Sequence, residues 1–396
     1  MNFSFGLILF LQNLSRGIFM PVASLLLLSR GAQLSDIAWL MGLYSFTAIC
    51  MEFPSGAFCD LFGRKRTFLL SCLFSVLSLL LFLLFPTVLG CAAALILHGL
   101  EKAFASGSLE ALCMEQALSS KGESALAKVS NQINLFQCLG IGLGSLLGGF
   151  LSQTDIKYNH NLLSMLALSL LLMLLTFLWV NETPVSAKEG SILRELKNQV
   201  QKSLLYTRNS PGLRKLLFLS LCTGMVLFTV ETYWQPALTT TFPQIKGWIL
   251  GLLPFSGFFC TALGSQLGAV LLNRPSCRTQ SRWWSVFFAG KFLLAASVIL
   301  FSFQQGLFLY AAKYSLIYFV LGYGSVSENA LLNRILPNNM RASILSLSSL
   351  TVQLGALLFS IFAGFLINYL HFSGLWCLGA GILFAAVLYS RTSFVL

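Results

Sequence analysis

The sequence predicts an all-α membrane protein of twelve transmembrane helices in two pseudo-symmetric six-helix bundles. Three observations lead there. The 396 residues are 56% hydrophobic and only 10% charged, with mean hydropathy +0.80, whereas a soluble globular chain carries roughly 25% charged residues. Apolar runs of about 20 residues, the length that crosses a bilayer, recur a dozen times along the chain. The second half also repeats features of the first at a nearly constant offset. This composition excludes a soluble enzyme, a disordered scaffold and a secreted module.

The first six runs are residues 4–28, 37–60, 67–86, 89–118, 128–152 and 160–181, and the second six are 213–240, 246–272, 283–303, 307–334, 341–370 and 373–391. Residues 1–181 and 213–396 are therefore expected to form the two bundles, joined by a linker over 182–212. No basic segment precedes the first run and no Ala-x-Ala-like site follows it, so it reads as a retained span rather than a cleaved signal. In the linker, Ile192, Leu193, Leu196, Val200 and Leu204 recur at helical spacing opposite Arg194, Lys197 and Lys202. That pattern suits an amphipathic helix lying on the inner membrane face as a connector.

Orientation follows from the basic residues of the short loops. With both termini cytoplasmic, eighteen of the 25 Lys and Arg fall on the cytoplasmic side and only Arg30, Lys157 and Lys246 outside; Arg16, Lys102, Lys291 and Lys313 lie within spans. The net charge of +12 is thus an insertion signal with affinity for anionic lipid, not a nucleic-acid patch. Ten cysteines sit mainly in apolar runs with no Cys-x-x-Cys, which implies neither a disulfide framework nor a metal site. The three histidines form no His-Glu-x-x-His, and Gly-x-Ser-x-Gly and Walker A sequences are absent. Neither an enzyme nor an ATP-driven pump is expected, and no cofactor is called for.

The repeat is visible in two places. Ser106-Gly107-Ser108-Leu109-Glu110-Ala111-Leu112 is echoed by Tyr323-Gly324-Ser325-Val326-Ser327-Glu328-Asn329-Ala330-Leu331, with Gly324 lying 217 residues after Gly107. Arg16 and Pro21 of span 1 align with Glu231 and Pro236 of span 7 at an offset of 215. Repeated bundles of this kind build a midplane site between halves that rock around it.

Residues 56–66 read Gly-Ala-Phe-Cys-Asp-Leu-Phe-Gly-Arg-Lys-Arg at the inner end of span 2. This segment resembles the signature loop between spans 2 and 3 of the major facilitator superfamily, with Gly56, Asp60, Gly63, Arg64, Lys65 and Arg66 all in register. The resemblance covers the whole chain in span count, linker and repeat. It implies a latch of the outward-facing state: Asp60 against the N-terminus of span 11, and Arg64 paired with an acid of span 4, here Glu115. The glycines suit a close helix approach and a tight turn. Segments 106–111 and 332–337, with Arg341-Ala342-Ser343, look like bacterial members assigned to drug efflux. The counterpart loop in the second half, Gly268 to Arg278, is degenerate. Span 5 carries Gly140, Gly142, Gly144, Gly148 and Gly149, similar to the glycine motif of proton-coupled antiporters but lacking its Gly-Pro pair; ordinary small-residue helix packing remains open.

Ionisable groups inside the hydrocarbon are costly and mark pathways or paired charges. The acids are Glu52, Glu101, Glu110, Glu231 and Glu328. Arg16 and Glu231 occupy equivalent mid-span positions on helices that, by the resemblance, line the central cavity. Glu231 is expected to carry a proton or hold a cationic substrate, with Arg16 tuning it; a permanent interhelical ion pair is the alternative. Glu110 and Glu328 are further candidates for coupling, and Glu52 for either coupling or the latch. Tyr233 and Trp234 beside Glu231, with Gln12 and Asn13 beside Arg16, complete the expected pathway, since aromatic faces near a carboxylate suit lipophilic cations.

The expected function is proton-coupled export of amphiphilic or cationic small molecules by a monomer in the cell membrane, with protons as coupling ion. The alternatives are metabolite uptake by symport, a lipid or lysolipid flippase, and a receptor that does not transport.

Overall fold

The computed structural model of the chain describes residues 3–121, 126–182, 201, 203, 205–272, 280–303, 306–336 and 341–395. The expected linker helix at residues 192–204 lies outside the described residues except for positions 201 and 203, which are helical, and the end of the degenerate second-half loop, 273–278, lies outside them entirely.

All regular elements among the described residues are α-helices. Spans 2, 3, 5 and 6 are Leu34–Phe62, Arg64–Leu84, Leu126–Leu151 and Asn159–Trp179, and spans 7 to 10 are Pro211–Thr241, Gly247–Leu272, Gln280–Ser302 and Leu307–Ile335. Three helical stretches depart from one straight rod. Span 1 consists of Phe3–Phe19 and Ala23–Ser29, bent by 49° where Pro21 has no N–H for the preceding turn. Span 4 is Val88–Ala105 followed by Ser108–Lys121; it breaks at Gly107, whose φ of +68° is open to glycine at little cost. The last helical stretch, Arg341–Val395, is 55 residues long and leaves helical geometry at His371, with φ 52° and ψ −173°. At about 1.5 Å per residue it is about 80 Å long, far beyond a hydrocarbon core of about 30 Å, so it is spans 11 and 12 in succession. Counted in this way, the described residues form twelve spans.

The chain divides into two compact units, Met1–Gly190 with Pro243–Phe255, and Ser191–Phe242 with Ser256–Leu396. In the first unit, span 1 packs on spans 5 and 6, span 4 on spans 2 and 3, and span 3 on span 6. Two buried apolar layers fill it. One holds Phe5, Ile8, Leu9, Phe68, Cys72, Leu109, Leu112 and Leu172; the other holds Ile18, Leu26, Leu79, Phe82, Cys91, Leu95, Leu162 and Met165. The same four spans carry Gln12, Ser15, Arg16, Ser71, His98, Glu101 and Ser169, which line one small cavity together with Phe68, Cys72, Met165 and Leu172 of the two apolar layers, and Asn13 is buried beside Gln12 on span 1. The hydropathy of each span thus dips at its middle, and the dips align into one polar layer.

The span 5 glycines explain how closely this unit is packed. A Cβ on Gly140, Gly144 or Gly148 would lie 2.6, 2.3 or 2.4 Å from the carbonyl oxygens of Phe10, Leu14 and Ile18 on span 1. Gly149 looks elsewhere, toward the start of span 8, where its Cβ would meet Gly251 N at 2.5 Å. That approach is why residues 243–255 group with the first unit, although their sequence position assigns them to the second bundle. In the second unit, Gly355, 215 residues after Gly140, lies against the carbonyl of Leu221 on span 7 at 2.0 Å from its notional Cβ. The repeat therefore extends to how spans 5 and 11 seat on spans 1 and 7.

Candidate functional site

The signature loop builds a charge cluster at one end of the first unit. Gly63, at φ +91°, both ends span 2 and caps span 3. The carboxylate of Glu182, just after span 6, accepts the N–H of Arg64 at 2.7 Å and that of Lys65 at 2.9 Å. It thereby satisfies two of the orphan donors at the N-terminus of span 3 and lies at the positive end of its dipole. A side chain at position 63 would collide with it: the Cβ would be 2.7 Å from Glu182 Oε2. Arg64 crosses to span 4, where Nε donates to Glu115 Oε2 at 2.9 Å, Nη2 bonds the other carboxylate oxygen, and Nη1 reaches the carbonyl of Gly107 at 3.3 Å. Lys65 Nζ donates to the carbonyl of Phe177 at 2.9 Å, close to the end of span 6. Asp60 is exposed. Gly56 is exposed, and among the described residues no heavy atom of its own unit lies within 4 Å of its notional Cβ. The tight turn belongs to Gly63 alone.

In the polar layer, Arg16 is bound inside its own unit. Its Nη2 lies 3.3 Å from Glu101 Oε1 on span 4, and Glu101 Oε2 is 3.6 Å from His98 Nδ1 one turn away. His98 stacks on Tyr44 of span 2 and meets Phe19 edge-on. Lys102, adjacent to Glu101 in sequence, turns to a different side and sets its ammonium 5.2 Å from the Tyr44 ring centroid. Gln12, Ser15, Arg16, Ser71, His98 and Glu101 help line a cavity of about 30 Å³, enough for about two waters. Asn13 is spent on its own helix, donating to the carbonyl of Leu9 at 2.8 Å. Glu110 accepts from Gln137 of span 5, and Glu52 from Ser106 at 3.5 Å.

In the second unit, Glu328 is held by Lys291 of span 9, Nζ to Oε2 2.8 Å, and by the hydroxyl of Ser220 on span 7. Lys291 also donates to Thr223 at 2.9 Å. This three-span knot is almost closed to solvent, with the Lys291 side chain 5% and Glu328 16% exposed. Glu231 is exposed and interacts electrostatically with Tyr314 and Tyr318 of span 10. Tyr233 and Trp234 do not offer their faces beside it. Both are fully buried, Trp234 against Tyr314 and Tyr233 against Phe372, in an aromatic core anchored by Tyr310 Oη donating to the Trp234 carbonyl at 2.6 Å and Trp376 Nε1 to that of Thr229 at 3.0 Å.

Sequence reasoning named Arg16, Glu115 and Glu328 but not Glu101 as the partner of Arg16, Lys291 as that of Glu328, or His98 and Glu182 as members of either cluster. Only Glu182 carried a local signal, being the first acid after span 6.

Comparison with known proteins agrees with this architecture. The pattern of the Major Facilitator Superfamily matches residues 5–347. An uncharacterized MFS-type transporter of Bacillus subtilis (strain 168), YxaM, is 24% identical over 263 residues, which span 66% of this chain and 63% of the relative. The solved structure of the nucleoside transporter NupG superposes with TM-score 0.81 at 14% identity, covering 100% of this chain and 99% of that one. A POT family transporter solved in complex with 5-aminolevulinic acid gives TM-score 0.77 at 12% identity over 98% and 95%. At such identities these structures speak for the fold. The twelve spans, the duplicated bundles and the match over most of the chain agree: this protein belongs to the Major Facilitator Superfamily of secondary membrane transporters.

Proposed function

We propose that the chain exports amphiphilic or cationic small molecules in exchange for protons, by alternating access, as a monomer of the cell membrane with both termini in the cytoplasm. The observation that carries this reading is Glu231: an exposed carboxylate in the middle of span 7, within electrostatic reach of Tyr314 and Tyr318 of span 10. A carboxylate in a membrane interior takes up a proton or pairs with a cation, and one group that does both by turns couples the two fluxes. Arg16 is paired with Glu101 inside its own unit, so its charge is met there. Glu101 and His98 form a carboxylate–imidazole pair within the first unit. The cluster of Gly63, Arg64, Lys65, Glu115 and Glu182 serves as the latch, and Glu110, Glu328 and Glu52 act as packing or relay groups.

A second reading, uptake of a polar metabolite, draws support from the polar layer with its serines and amides. Drug susceptibility and substrate accumulation in a pump-deficient bacterium, with E231Q and a protonophore alongside, separates the two. Export predicts resistance and low accumulation that vanish in E231Q and on collapsing the proton gradient. Unchanged susceptibility in cells holding stably inserted protein refutes drug export and leaves the metabolite reading.

A further inference from the structure

We propose that the outer surface of the first unit carries a site for one anionic glycerophospholipid, its acyl chain in a groove between spans 3 and 6 and its phosphate on Arg66. The three consecutive bases of the signature loop have different fates. Arg64 is spent on Glu115 and the Gly107 carbonyl, and Lys65 on the Phe177 carbonyl. Arg66 is exposed and, among the described residues, has no hydrogen-bond or ion-pair partner. It stands at the end of a groove of about 610 Å³ whose other lining is apolar, chiefly Leu69, Leu70, Leu73, Leu170, Leu174 and Phe177.

From Arg66 to Leu73 on span 3 is seven residues, about 10 Å along a helix, and Leu170 to Phe177 on span 6 runs the same distance. The groove is thus a lipid-facing channel with a permanently charged guanidinium at one end and hydrocarbon along the rest. Apolar walls without a charge would accept any acyl chain. The unpaired guanidinium selects the headgroup, because it matches a phosphodiester in bidentate geometry and an anionic headgroup of the phosphatidylglycerol type brings no ammonium to repel it. Basic pockets between membrane helices on the cytoplasmic side bind anionic headgroups in this way. Arg66 lies one residue from Lys65 and two from Arg64, so an occupied site would tie the lipid to the loop that also holds Glu115 and Glu182.

The test is native mass spectrometry of the full-length protein in detergent, titrated separately with phosphatidylglycerol and phosphatidylcholine. Wild type should bind the first phosphatidylglycerol at least fivefold more tightly, since one interfacial cation is worth about a factor of five. R66Q should lose that preference, R66K should keep part of it, and L170W, which fills the groove, should weaken the first binding event for both lipids. Equal affinities in wild type, or a preference untouched in R66Q, overturns the proposal. If R66Q is not recovered folded, R66K and L170W decide: full wild-type binding in both refutes the site.

Discussion

Glu328 and Glu115 each answer a single base, yet removing them should cost very different amounts. Lys291, the partner of Glu328, is 5% exposed, so E328Q leaves an almost fully buried ammonium without its counter-charge, at a cost of about 3–5 kcal/mol. Glu115 is 57% exposed, and E115Q should cost no more than about 1 kcal/mol. Thermal unfolding of the purified variants should therefore separate them clearly, with K291M/E328M recovering most of the loss because it removes both charges. Equal shifts for E115Q and E328Q would contradict the burial on which this ranking rests. Glu182 falls between them: its carboxylate serves two backbone donors, and E182A should cost about 1 kcal/mol, the usual value of a lost helix cap.

At the scale of helices, packing and backbone conformation make separable demands. G144A would set a methyl 2.3 Å from the carbonyl of Leu14, and span 1 can yield only by moving away from span 5. Position 107 has open space around it but a φ of +68°, so G107A costs only the left-handed strain of about 1–2 kcal/mol. Folded yield should fall much further for G144A. The turn between spans 5 and 6 offers a test by pH. Asp155, outside the spans, accepts the N–H groups of Lys157 at 3.0 Å and Asn159 at 2.8 Å, and these bonds hold its carboxyl below the ordinary value. A depressed folded pKa stabilises above the unfolded value and loses that contribution as pH falls through the folded one. The melting difference between wild type and D155N should accordingly be small, present at neutral pH, and absent in strong acid. The spans themselves were legible because a bilayer forces length and apolarity on each; the break at His371 falls where the runs 341–370 and 373–391 part. The break at Gly107 was not legible, since a glycine in an apolar run reads equally as packing or as a turn. The partnership of Arg16 with Glu101 was hidden for another reason: 85 residues separate them, and hydropathy reports depth in the membrane without reporting which neighbour a side chain meets.

For the molecule as a whole, eighteen cytoplasmic bases against three outside predict the orientation, which paired reporter fusions at the C-terminus would check: a fluorescent protein should mature there and a periplasmic phosphatase should stay inactive. An active phosphatase would invert the topology and with it the direction of every gradient invoked here. The exchange of protons for a cation remains the claim on which the functional account stands. It is tested most directly in proteoliposomes holding a pH-sensitive dye, given an inward proton gradient and then a lipophilic cation such as ethidium. The account predicts cation movement coupled to proton movement in the opposite sense for wild type, abolished by a protonophore and lost in E231Q. Gradient-driven exchange that persists in E231Q, or a wild-type protein that moves protons with no response to the cation, would contradict it.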